Sequence, residues 1–129
     1  MDPIWHTFNE LQLRDNFDKP MEKVTLPCRL RCLCFGHMFN QPLEKVALPS
    51  SLQYITFGTK LNHPMVKVAL PSGLQGLKFG HMFDMPMEKM ALPSGLRYLT
   101  FDHSFNQSLE KLALPNGLHH LTFGYKLYV

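Results

Sequence analysis

Apolar and polar positions along this chain recur with one period of 22 residues. Leu26, Leu48, Leu70, Leu92 and Leu114 each precede a proline, at Pro27, Pro49, Pro71, Pro93 and Pro115, and no insertion disturbs the spacing. The same interval carries Leu30, Leu52, Leu74, Leu96 and Leu118, then Leu33, Ile55, Leu77, Leu99 and Leu121, then Phe35, Phe57, Phe79, Phe101 and Phe123. Three more columns complete the set: Phe39, Leu61, Phe83, Phe105 and Leu127; Met21, Leu43, Met65, Met87 and Leu109; and Val24, Val46, Val68, Met90 and Leu112. A unit this short cannot bury its own apolar side. Equivalent residues must therefore stack, coil upon coil, into a one-dimensional solenoid.

Within each unit the segment Leu30 to Phe35 reads as a strand, because Leu33 and Phe35 sit two apart and the corresponding Ile55-Thr56-Phe57 favours β structure. Its copies should pair in parallel, about 4.8 Å apart. Gly36, Gly58, Gly80 and Gly124 follow the strands, where a left-handed or tight backbone is expected. Asp102 stands in their column once, and aspartate tolerates such backbone better than most residues. Pro42 and Pro49 exclude a long regular helix from the return arc and leave extended or polyproline-like chain. The expected fold class is a repeat solenoid, a leucine-rich-repeat-like stack with parallel β-strands, irregular proline-containing return arcs and little helix. A parallel β-helix would also ladder its side chains. Two of its three strands would then have to accommodate Pro42 or Pro49, which cannot donate to a ladder.

The organisation expected is a single repeat domain over 1–129, with a degenerate N-terminal repeat over 1–25 and 22-residue repeats beginning near Leu26, Leu48, Leu70, Leu92 and Leu114, the last incomplete. In the degenerate copy Phe8, Leu11, Leu13, Phe17 and Pro20 keep to the columns, with Ile4 and Trp5 at the positions of Leu26 and Pro27. Its departures suit a seal for one end of the stack. The chain stops at Val129 with no visible cap, which points to a covering partner, a longer array, or an edge open to end-to-end self-association and aggregation.

The motif Leu-Pro-x-x-Leu-x-x-Leu-x-Phe-Gly-x-x-Phe-Asn-x-Pro, running from Leu26-Pro27 through Phe35-Gly36 to Phe39-Asn40-Gln41-Pro42, resembles the FNIP repeat, a short divergent leucine-rich repeat. Later copies carry Leu61-Asn62-His63-Pro64, Phe83-Asp84-Met85-Pro86 and Phe105-Asn106-Gln107-Ser108, and the first has Phe17-Asp18-Lys19-Pro20. Ser108, Leu61 and Asp102 are single departures. The resemblance implies a leucine-rich-repeat-like protein in a family of largely unassigned function, whose members sometimes accompany ubiquitin-ligase or kinase domains. Neither kind of domain is read in this sequence.

Composition narrows the picture. With 129 residues, 45% hydrophobic and 18% charged, the chain is one small domain rather than a disordered tail. No run of about 18 apolar residues suggests membrane insertion, and Met1 to Glu10 do not read as a secretory leader. Three cysteines in such a chain are expected as free thiols in a cytoplasmic or other reducing intracellular compartment. The net charge of +3 is modest. Lys23, Lys45, Lys67, Lys89 and Lys111 form a basic column, but Glu22, Glu44, Glu88 and Glu110 stand beside it, so nucleic acid is not the expected partner.

If Leu33 and Phe35 point inward, period-two geometry turns Cys32 and Cys34 outward, followed by Tyr54 and Thr56, Gly76 and Lys78, Tyr98 and Thr100, and His120 and Thr122. With Arg31, Gln53, Gln75, Arg97 and His119 these make a varied polar and aromatic strip beside unvarying core columns. The expected role is a non-enzymatic protein-binding module whose contacts include Arg31, Tyr54, Gln75, Lys78, Arg97, Tyr98, His119 and His120, with an unknown protein or peptide as partner. The alternative is a structural or remnant fragment of a longer repeat protein.

Asn40, Asn62, Asp84 and Asn106 form a polar column suited to satisfying backbone groups of the next coil. Asp84 cannot donate when ionised, so its coil should bond differently. Cys28, Cys32 and Cys34 with His37 lack the spacing of a structural zinc site. His81 and His103 are one coil apart, with Thr59 breaking their column before His37, and two rings do not make a catalytic set. No triad or phosphate-binding loop is present. No catalytic residue, metal or cofactor is expected.

Overall fold

Pairing in register produces a single sheet ordered β1-β2-β3-β4-β5-β6-β7. The computed structural model describes residues 4–6 and 9–124. Phe8, Leu127 and Val129, which the periodicity places in or beside core columns, lie outside them. The strands are β1 (Ile4–His6), β2 (Glu10–Leu13), β3 (Cys32–Cys34), β4 (Tyr54–Thr56), β5 (Gly76–Lys78), β6 (Tyr98–Thr100) and β7 (His120–Thr122). From β2 onward all pairs are parallel, and Leu11, Leu33, Ile55, Leu77, Leu99 and Leu121 are successive partners. Three residues of strand per coil is shorter than the Leu30–Phe35 span suggests. Pairing nonetheless extends past both strand ends: the Arg31 carbonyl accepts from the Gln53 and Tyr54 N–H groups at 2.8 and 3.0 Å, and the Phe57 N–H donates to the Lys78 carbonyl at 2.8 Å.

Turns build the remainder of each coil. The Pro27 carbonyl accepts from the Leu30 N–H at 3.2 Å, and the same bond recurs from Leu52 to Pro49, Leu74 to Pro71, Leu96 to Pro93 and Leu118 to Pro115. This explains the Leu-Pro-x-x-Leu spacing, because proline opens a turn with its carbonyl and needs no N–H there. A second turn joins Val24 to Met21, and its counterparts join Val46 to Leu43, Val68 to Met65, Met90 to Met87 and Leu112 to Leu109. Glu and Lys occupy the exposed middle of that turn except where Val66 replaces Glu, while its ends face the core in all but the first, where Val24 is exposed. Among the described residues there is no helix.

The interior is a set of ladders. Phe35, Phe57, Phe79, Phe101 and Phe123 stack with ring centroids 5.1, 5.5, 5.4 and 5.7 Å apart, close to the strand spacing that imposes them. Phe83 and Phe105 form a second stack beside the first, and Phe79–Phe83 and Phe101–Phe105 each close to 3.9 Å across it. Two column positions fall short at the ends: Val24 is 36% exposed and Leu114 41%. Residues 4–6, which would belong to the arc before Val24, form β1 instead.

Two further expectations are corrected. Ile4 and Trp5 do not sit in a return arc; β1 pairs antiparallel with β2, Ile4 opposite Leu13 and His6 opposite Leu11, so the N-terminal edge of the parallel sheet is covered by a reversed strand. The glycines after the strands are not left-handed, since no glycine among the described residues has positive φ. A Cβ on Gly58 would fall 2.1 Å from the Gly36 carbonyl oxygen, and one on Gly80 would fall 2.0 Å from that of Gly58. Close approach of backbone to backbone along the stack demands glycine here.

Candidate functional site

Alternation along each three-residue strand puts the middle side chain in the core and its neighbours outside. Register then lines up Cys32, Tyr54, Gly76, Tyr98 and His120 in one outward column, and Cys34, Thr56, Lys78, Thr100 and Thr122 in another. Arg31, Tyr54, Lys78, Arg97, Tyr98, His119 and His120 are exposed and Gln75 half-buried. Glu10 and Gln12 extend the two columns by one coil, opposite Cys32 and Cys34. Their spacing of 22 residues from the cysteines was the available signal.

Both tyrosines lean along the sheet. A Cβ on Gly76 would meet the Tyr54 ring at 2.6 Å, so this ring fills the space that Gly76 leaves on the outer face. Its hydroxyl donates to Gln75 Oε1 at 3.3 Å. Tyr98 stacks on the His120 imidazole, centroids 5.1 Å apart and planes within 4°. The tyrosines remain 39% and 44% exposed, aromatic surfaces on the same face as Arg31, Lys78 and Arg97.

Cys32 and Cys34 flank the first of these positions. Burial, then the nearby Glu10 and Cys34, pushes the Cys32 thiol up, against a smaller opposing effect of Arg31. Burial likewise raises Cys34, only partly offset by a hydrogen bond with Thr56. Both are therefore thiols rather than thiolates near neutral pH, poorly suited to nucleophilic attack.

The polar column lies beyond the strand ends, on the next turn. Asn40 Oδ1 accepts from the Asn62 N–H at 3.0 Å, Asn62 Oδ1 from the Asp84 N–H at 2.9 Å, and Asp84 Oδ1 from the Asn106 N–H at 2.9 Å. Asp18 begins this series, accepting from the Asn40 N–H at 2.8 Å, and it was legible as the residue one period before Asn40. The acidic rungs do bond differently. Gln41 Nε2 donates to Asp18 Oδ1 and Gln107 Nε2 to Asp84 Oδ1, each at 2.9 Å, so a glutamine in the next coil supplies each carboxylate oxygen with a second donor.

His81, Asp102 and His103 come together on the turn after β5 and β6, each offering a ligand atom within 4.8 Å of the others. No clear catalytic site is assembled among the described residues. The return side carries a cleft of about 240 Å³ lined by Pro20, Met21, Pro42 and Lys45, open rather than enclosing.

The FNIP-repeat family model matches residues 17–60, 39–82, 61–104 and 83–126, each match spanning two coils and advancing by one. The chain belongs to the FNIP-repeat family. A search of curated proteins finds no match. Among solved structures, this FNIP-repeat chain is similar to CroV588, described as a novel circular LRR protein, with 34% identity and a TM-score of 0.66 over 87% of its own length. It spans only 20% of that chain. No helix among the described residues of the FNIP solenoid is long and apolar enough to cross a membrane.

Proposed function

We infer that this FNIP-repeat chain is a protein-binding module without catalytic activity of its own, using the outward face of its parallel sheet. The observation that carries the reading is the pair of exposed tyrosines, Tyr54 lying over Gly76 and Tyr98 stacked on His120, on the same face as Arg31, Lys78 and Arg97. Large aromatic surface beside arginine is the composition of binding hot spots, because it supplies contact area at little cost in side-chain entropy. The excess of cationic over anionic side chains on the strip favours a partner segment with acidic groups beside apolar ones. Three free cysteines fit a reducing compartment.

The test is selection of a displayed random-peptide library on the immobilised chain, with the Arg97→Ala/Tyr98→Ala variant as control. Enriched acidic, apolar peptides should bind the native chain at least about tenfold more tightly than the variant, while both unfold at similar denaturant concentrations. Equal binding to the two would remove this face from consideration. The second reading, a segment of a longer array without independent activity, is favoured by the chain spanning a fifth of its structural relative. It predicts that no peptide is enriched.

A further inference from the structure

Glycine is favoured after β3, β4, β5 and β7, and a Cβ at Gly58 or Gly80 would collide with the backbone of the coil before it. Asp102 breaks that column once, where stacking alone gives no reason for a side chain. It does so beside the consecutive coils that both carry histidine at the following position: His81 after β5 and His103 after β6. Those imidazoles lie face to tilted face, centroids 5.1 Å apart at 35°, and His103 Nδ1 is bonded to Asp102 Oδ1. His81, at the same turn one coil away, is exposed, and its partners are half-buried.

We propose that His81, Asp102 and His103 form a surface site for a late first-row divalent cation, with zinc as the reference ion. Two imidazole nitrogens and one carboxylate oxygen are a borderline donor set that suits Zn²⁺, Ni²⁺, Co²⁺ or Cu²⁺ far better than Ca²⁺ or Mg²⁺. Their ligand atoms are within 4.8 Å of one another, whereas ligands of a tetrahedral zinc stand roughly 3.3 Å apart for bonds of about 2.0–2.1 Å. Loading therefore draws the side chains together, with His81 the exposed member of the three. Three protein ligands leave at least one position to water. Histidine binds metal as the neutral ring, through the nitrogen that carries no proton.

A bound ion would tie the turn after β5 to the turn after β6, and binding restricted to the folded chain raises stability by mass action.

The test uses the full chain without a histidine tag. Zinc chloride titration followed by calorimetry, with thermal unfolding read in parallel, should give one equivalent per chain and a rise in midpoint. His103→Thr and Asp102→Gly place at each position the residue that the coil of β4 carries, at Thr59 and Gly58, so both variants should fold. Each should lose at least about tenfold in zinc affinity and the zinc-dependent rise in midpoint. A variant with Cys28, Cys32 and Cys34 all changed to serine should bind zinc as the native chain does. No saturable binding, affinity unchanged in His103→Thr and Asp102→Gly, or binding lost only with the cysteines would each overturn the site.

Discussion

Two glycines four residues apart, Gly76 and Gly80, look alike in sequence and answer to different parts of the molecule. A Cβ on Gly80 would meet the Gly58 carbonyl oxygen at 2.0 Å, whereas one on Gly76 would meet the edge of the Tyr54 ring at 2.6 Å. Backbone held by the stack cannot move aside, but a tyrosine side chain can. Column composition follows the same division. Gly80 shares its column with Gly36, Gly58 and Gly124 and the lone Asp102, while the column of Gly76 holds Cys32, Tyr54, Tyr98 and His120. Stacking poses one repeated problem to the inside and close-approach positions, and leaves the outward positions free to differ.

The largest effect expected from this division is on the aromatic ladder. Phe79 is fully buried and packs against Phe57, Phe83 and Phe101, so Phe79→Ala should cost about 3–5 kcal/mol in chemical denaturation. Tyr98→Ala, on the outer face of the next coil, should cost less than about 1 kcal/mol, since it loses one stacked contact with His120. Comparable losses from the two would erase the distinction between faces.

The glycine pair itself gives the next effect. Gly80→Ala forces two coils apart and should destabilise by about 1–3 kcal/mol, the range for added volume in a packed interior. Gly76→Ala needs only a rotation of Tyr54 and loss of its bond to Gln75, and should stay within about 0.5 kcal/mol. Quenched or shifted tyrosine fluorescence in Gly76→Ala without a change in unfolding midpoint would locate the change on the face alone.

The stack was legible in the sequence because period and core are the same fact: residues 22 apart lie above one another, so every buried column could be read directly. The causes of conserved spacing within the chain were harder to see. Gly36, Gly58, Gly80 and Gly124 suggested a left-handed or tight backbone, yet no glycine among the described residues has positive φ and close approach of the preceding coil decides the matter. Tertiary contact between coils leaves no local signature. The same holds for β1, since nothing in Ile4-Trp5-His6 marks it as a reversed strand. Reading by columns also separated Asp102 from its neighbour His103, placing one among the glycines and the other among the histidines, and so hid the grouping with His81. The Tyr54–Gly76 relation was missed although the two are register partners in one column, because the contact joins a side chain to a position without one.

The smallest expected effect concerns the polar column, where rungs with the same geometry differ in whether they can titrate. Asp18 and Asn40 both accept a backbone N–H from the following coil, but only the carboxylate responds to acid. The Asn40 N–H first, then the Gln41 amide and the charge of His63, hold Asp18 below its ordinary value of 3.8. A depressed carboxyl binds fewer protons folded than unfolded, so the unfolded chain gains on acidification. The contribution of Asp18 is complete above about pH 3.8 and declines as pH falls from there through its lower folded value. Asp18→Asn keeps an oxygen for the Asn40 N–H and removes the titration. Its unfolding midpoint should match the native chain at neutral pH and fall less steeply below pH 4, with a residual slope from Asp102, which is also depressed. Because Asp18 is open to solvent, screening keeps the difference small. An Asn40→Ala chain supplies the contrast: it should weaken the stack at every pH without altering that slope.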